Sequence, residues 1–155
     1  NNSECPCSHP YNGSAFKSYT ESELGTFPGP FTRRGVCVKL GEVTDGLSRT
    51  IFFGEVRPLC SWHNDNGWAT SINANGYCST IIPINDDTCH ADATTTDGCR
   101  RTCNWNTEAG FRSAHPGGAQ FLMGDGSTRF IAETIDTATY ARLGNIKDGV
   151  PVTLP

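Results

Sequence analysis

The sequence predicts a single small α+β domain: an antiparallel sheet, one short helix and a long loop region pinned by disulfides. Three observations predict it. With 17 Gly and 9 Pro in 155 residues, the chain is cut into many short elements joined by turns. Its eight cysteines, an even number beside a single Met and 18% charged residues, are the composition of an exported, disulfide-stapled chain. Strand-like runs rich in β-branched and aromatic residues recur, whereas only one segment carries both a helix start and a helix stop.

In chain order, residues 1–27 form a polar N-terminal arm with too few apolar residues to fold alone. Residues 28–155 make the one globular domain. "GVCVKL" (35–40) and "RTIFFGEV" (49–56) read as strands, separated by the turn-rich "GEVTDGLS". Residues 57–110 hold five of the cysteines (Cys60, Cys78, Cys89, Cys99, Cys103), all three Trp and many Asn, Asp and Thr. They read as a disulfide-pinned insertion with little regular structure. From Ala119 to Ala132 the pattern is a hairpin about a two-residue Asp125-Gly126 turn, with Asp125 tolerating left-handed geometry. Pairing about that turn sets Phe121 opposite Phe130 and Met123 opposite Thr128, so that Ala119, Phe121, Met123, Phe130 and Ala132 share the core face. Asp136 then caps a helix over 137–143, with Ile135 and Tyr140 as its hydrophobic staple and Gly144 as a left-handed stop.

The formal charge of −4 and the lack of a basic stripe exclude a nucleic-acid partner. No run of about 18 apolar residues marks a membrane segment. In "FRSAHPGGAQFLMGDGSTRFI" (111–131), nine residues separate His115 from Asp125-Gly126. A strand over 119–123 advances roughly 16 Å, which places the two at opposite ends of the hairpin. An acid and a base acting on one bond must both reach it, so His115, Asp125 and Gly126 are read as architecture. Ser113 lies two residues before His115 in neither an oriented triad nor a Gly-x-Ser-x-Gly elbow, which makes a hydrolase the weakest reading.

The same stretch, with its His-x9-Asp-Gly core, resembles the C-terminal module of the large prepilin-like protein family of planctomycetes and their relatives. "LGEVTDGLSRTIFFGE" (40–55) and "TYARLGNIKDGV" (139–150) resemble that family's other landmarks in the same order. The resemblance spans roughly 28–155, the insertion matching only in position, and it implies a pilin-like α+β surface protein. Family members begin with a prepilin leader and a long hydrophobic helix, and neither is expected within residues 1–155.

The remaining constellations bear on ligands. Cys5, Cys7, Cys37, Cys60, Cys78, Cys89, Cys99 and Cys103 are expected to form four bridges, because no pair has the spacing of a zinc ribbon or knuckle. Cys5 and Cys7 are too close to bridge each other and should tether the arm at separate points. Asn85, Asp86, Asp87, Asp92 and Asp97 are oxygen ligands of the kind calcium accepts, although the EF-hand order is missing; no other cofactor is expected. Trp62, Trp68 and Trp105 suit either satellite cores or a glycan-stacking platform. Asn1 and Asn12 head acceptor sequons, and Thr94, Thr95 and Thr96 form a candidate O-glycan cluster. In "GVPVTLP", Val150, Val152 and Leu154 fall on one side of an extended segment. The expected role is a non-enzymatic structural subunit of an extracellular or cell-surface fibre, joined to its own copies head to tail. A surface module for glycans or small solutes is the alternative.

Overall fold

The computed structural model describes residues 29–31, 37–61, 64, 76–86, 90–94, 100–102 and 108–154. Among these, β1 (Ile51–Gly54), β4 (Gly118–Met123) and β5 (Thr128–Ala132) form one antiparallel sheet in the order β1-β4-β5. A second antiparallel pair joins β2 (His90–Thr94) and β3 (Arg100–Thr102). An α-helix, α1 (Thr137–Leu143), follows the hairpin. No described helix is long and apolar enough to cross a membrane. The predicted small α+β fold is present.

The β4–β5 hairpin departs from expectation by one residue. Gly126 N donates to Met123 O (3.0 Å), Met123 N donates to Ser127 O (2.8 Å), and Gly126 has φ +87°. The connection is therefore a three-residue loop whose left-handed residue is the glycine, not Asp125. One additional loop residue shifts the pairing to Phe121↔Arg129, Gln120↔Phe130 and Leu122↔Thr128. Because side chains alternate with period two, this shift exchanges the faces of β5. Ile131 enters the core and Phe130 stands 49% exposed outside it. Asp125 works through its side chain, with Oδ1 accepting from Ser127 N (2.9 Å) and Ser127 Oγ (2.7 Å).

The core comprises Ile51, Ile84, Phe111, Ala119, Phe121, Met123, Ile131, Tyr140, Leu143 and Val152. Phe121 sits edge-on to both Phe111 (5.1 Å between centroids) and Tyr140 (6.0 Å), the geometry that suits the ring quadrupoles. Gly54 allows this packing, since a Cβ there would stand 2.6 Å from Phe111 and 2.7 Å from Phe121 ring atoms. A bulge in β1 falls between Ile51↔Met123 and Phe53↔Leu122.

Helix α1 has the predicted bounds and cap: Asp136 Oδ2 accepts from Thr139 N at 2.8 Å. Ile135 packs against the cluster that holds Tyr140. Gly144 stops the helix for a different reason than expected. Its φ of −89° is right-handed, and a Cβ there would meet Thr80 Oγ1, whose hydroxyl donates to Ala141 O. Close approach, rather than left-handed geometry, requires the glycine.

One further expectation fails. Within 35–40, residues 37–39 form no strand and Leu40–Glu42 make a 3-10 turn. Lys39 N donates to Glu42 Oε2 (2.7 Å) while Glu42 N returns to Lys39 O (2.8 Å), so local bonds win over the strand propensity of the run. The insertion 57–110 holds the β2–β3 pair where little regular structure was expected. At the C-terminus, Val152 is buried and Leu154 packs on the same core, whereas Val150 remains exposed.

The register is testable by chemical denaturation. Ile131→Ala should cost about 2–5 kcal/mol, as for other large-to-small core changes. Phe130→Ala should cost about 1 kcal/mol or less, in keeping with a surface position. Equal losses at the two positions would contradict the shifted hairpin.

Candidate functional site

The densest polar arrangement around the His-x9-Asp-Gly block forms where β1 leaves the sheet. Glu55 continues the ladder, its N donating to Gln120 O (3.2 Å) and its O accepting from Arg112 N (3.0 Å). Alternation puts its side chain on the sheet's outer face. There Glu55 Oε2 accepts from Gln120 N (2.8 Å), and Oε1 lies 3.3 Å from His115 Nε2. The Ser113 hydroxyl also bonds to this carboxylate.

Asn85 fixes the segment that carries Ser113 and His115. It is the one described non-glycine residue with positive φ (58°), a conformation Asn tolerates better than most. Its Oδ1 accepts from Ser113 N (2.8 Å) and its Nδ2 donates to Glu133 Oε2 (2.9 Å). Ser113 Oγ in turn accepts from His115 N (3.0 Å). One asparagine thereby ties the loop before β4 to the chain after β5.

This order of contacts is unlike that of a nucleophilic triad. A triad places the imidazole between hydroxyl and carboxylate, so that the imidazole takes the hydroxyl proton. Here the carboxylate occupies the middle and receives both neighbours. Burial works against the charge of Glu55, but the Gln120 amide, the Ser113 hydroxyl and His115 outweigh it and hold the carboxyl below its ordinary value.

Asp125 lies at the other end of β4, where the Ser127 hydroxyl and amide, with a smaller contribution from Arg129, hold its carboxyl below the ordinary range. Strand β4 separates it from His115, and the two make no contact. His115, Asp125 and Gly126 thus serve the two ends of one hairpin.

Asn64, Asp86, Glu108 and Arg112 are buried polar side chains. Burial pushes the Cys78 thiol up to about 12, against the Asn64 hydrogen bond and the Arg112 charge that favour the thiolate. A thiol so held is a poor nucleophile. The Tyr140 hydroxyl is raised well above its usual range by burial and by Cys78, and among the described residues it has no hydrogen-bond partner.

The expectation of eight paired cysteines fails at two positions. Cys37, exposed, and Cys78, set against Asn64 and Arg112, carry free thiols. Cys60 is disulfide-bonded and fully buried. Cys5, Cys7, Cys89, Cys99 and Cys103 lie outside the described residues, as do Asn1, Asn12, Thr95, Thr96, Asp87, Asp97 and the three Trp. Of the calcium candidates, Asp86 is buried and Asp92 lies in β2. Among the described residues, no three His, Cys, Asp or Glu side chains gather to hold a metal ion.

Glu55 and Glu133 are the members of this arrangement that the sequence did not disclose, and Asn85 was singled out there only as an oxygen ligand for calcium. Asn85 gave a faint signal, as an Asn in a turn-rich stretch after Pro83. Glu55 gave none, because its partners lie some 60 residues away along the chain: Gln120 is 65 residues distant.

The geometry defines a small α+β module in which the polar groups of the block hold backbone. In sequence, residues 8–138 match the family described as "Protein of unknown function (DUF1559)". The chain belongs to this family, a group of uncharacterised bacterial proteins. No curated protein and no solved structure matches it.

The pH dependence of stability follows from Glu55. A carboxyl depressed in the folded state adds stability above its unfolded value, and that stability is lost as pH falls through the folded value. The loss belongs below the ordinary value of 4.5. In acid titrations followed by circular dichroism, Glu55→Gln should flatten the fall in stability below that point. An unchanged acid limb would show that the carboxylate does not hold the loop.

Proposed function

We propose that the chain is a structural subunit of an extracellular, pilus-like or related fibre, joined to its own copies through its terminal segments. The observation that carries this reading is the use made of the His-x9-Asp-Gly block. Ser113 and His115 hold the entry to β4, while Asp125 and Gly126 form its exit. Residues spent in this way build a rigid hairpin, and a rigid hairpin suits a part that repeats. The resemblance of the block to prepilin-like proteins supports the same reading, as does the buried disulfide at Cys60, a bond that persists outside the reducing cytosol.

The C-terminal segment supplies the candidate joint. Asp45 accepts from Asp148 N (2.6 Å) and Gly149 N (3.0 Å), which fixes where the last residues depart. Beyond that point Val152 and Leu154 anchor on the subunit's own core, while Val150 projects outward. Pro151 and Pro155 remove amide donors, so the segment suits an edge rather than the centre of a sheet. A contact through Val150 to a different surface of the next copy repeats without closing.

Electron microscopy of the purified full chain tests the reading. Fibres are expected, and they should shorten or vanish in Val150→Asp, which leaves Val152 and Leu154 seated. Absence of fibres from the unaltered chain would overturn the structural role. Fibres of normal length in Val150→Asp would overturn the terminal joint.

A further inference from the structure

We propose that the slot holding Val152 and Leu154 is an exchangeable peptide site: segment 150–154 is its resident ligand, and the same segment of a second copy can take its place. The segment seated there shows the ligand chemistry. Val152 belongs to the buried cluster that holds Phe121 and Tyr140, and Leu154 packs against that cluster. Pro151 and Thr153 stand exposed. The slot thus takes an extended segment whose apolar side chains fall at alternate positions on one side.

The way the chain is held changes at Gly149. Up to that point hydrogen bonds tie it down: Asp45 N donates to Ile146 O (3.2 Å), and the Asp45 carboxylate accepts from Asp148 N (2.6 Å) and Gly149 N (3.0 Å). Val150 N turns back to Asp148 Oδ1 (2.8 Å). Beyond it, among the described residues, Pro151, Val152, Thr153 and Leu154 enter no hydrogen bond. Two apolar side chains seat the segment, whereas peptides captured on a sheet edge are gripped through their main chain as well. Gly149 has φ +71°, and glycine passes between left-handed and right-handed backbone at little cost, so it serves as the hinge. With no ladder to break, the segment opens as a unit while the body stays folded. The opened slot fits the segment of any other copy, because every copy carries both halves, and such an exchange of identical elements needs no new surface.

The tether favours the resident segment. A ligand on a short tether acts at an effective concentration on the order of millimolar, and the Asp45 clasp aims this one at its own slot. A free copy of the segment therefore competes poorly until the resident one is disabled. The site is separate from the Val150 contact proposed for the fibre, and it stands whether or not the chain polymerises.

A fluorescein-labelled peptide of residues 149–155, GVPVTLP, titrated against the full chain by fluorescence anisotropy, tests the exchange. The unaltered chain should bind it weakly. In the Val152→Asp chain the new charge keeps the resident segment out of the core, so the peptide should bind at least about tenfold more tightly and raise the melting temperature. Asp45→Ala leaves the apolar slot as it is and removes only the aim of the tether, so it should bind at least about threefold more tightly than the unaltered chain. This second variant decides the matter if circular dichroism shows Val152→Asp unfolded. A peptide carrying the Val152→Asp change should bind neither variant. Equally weak binding by the unaltered chain and the folded variants overturns the proposal, and so does capture of the altered peptide.

Discussion

The hydrogen bond from Gly126 N to Met123 O sets the register on which the β4–β5 hairpin depends. It closes a loop of three residues in place of two, and the parity of that loop decides which side chains of β5 face inward. With Ile131 in and Phe130 out, β4 and β5 offer Tyr140 and Leu143 of α1 a packed floor of Ala119, Phe121, Met123 and Ile131. The same parity creates the aromatic outer face. Core and surface are two consequences of one left-handed glycine.

The far end of the hairpin is held differently, by side chains instead of backbone geometry. Glu55 gathers the Gln120 amide, the Ser113 hydroxyl and His115, and Asn85 binds that loop to Glu133 beyond β5. These contacts join segments far apart in sequence, so they form only once the sheet has assembled. Charge on the carboxylate is what several of them require, and this links the loop's stability to acid. The histidine that opens the block therefore acts as a clasp on a sheet edge.

Local signals were legible in the sequence and distant ones were not. Helix 137–143 was readable because its cap, staple and stop are all within a few residues of it, although Gly144 proved to be required by Thr80, 64 residues upstream. The hairpin was readable as a hairpin, but Asp125-Gly126 is compatible with two loop lengths, and only the third loop residue, Gly124, separates them. In the strand expected over 35–40, the described residues from 37 onward gave way to the Lys39–Glu42 bonds. The β2–β3 pair was missed even though an Asp97-Gly98 dipeptide separates its strands, because the surrounding Asn, Asp and Thr pointed to loop. Of the candidate site, His115, Ser113 and Asp125 were visible, whereas the carboxylate joining the first two lies on another strand. Cysteine parity suggested four bridges, but parity carries no information on which thiols stay free, as those of Cys37 and Cys78 do.

The central claim is that a one-residue shift in the hairpin turns Phe130 outward. The bonds Met123 N to Ser127 O and Glu133 N to Gly117 O make Gln120·Phe130 and Leu122·Thr128 the close, non-hydrogen-bonded pairs of the ladder. Proton NMR of the full chain reads this directly through cross-strand α-proton contacts. Strong contacts between Gln120 and Phe130 and between Leu122 and Thr128 are predicted. Contacts pairing Phe121 with Phe130 and Met123 with Thr128 would contradict the account.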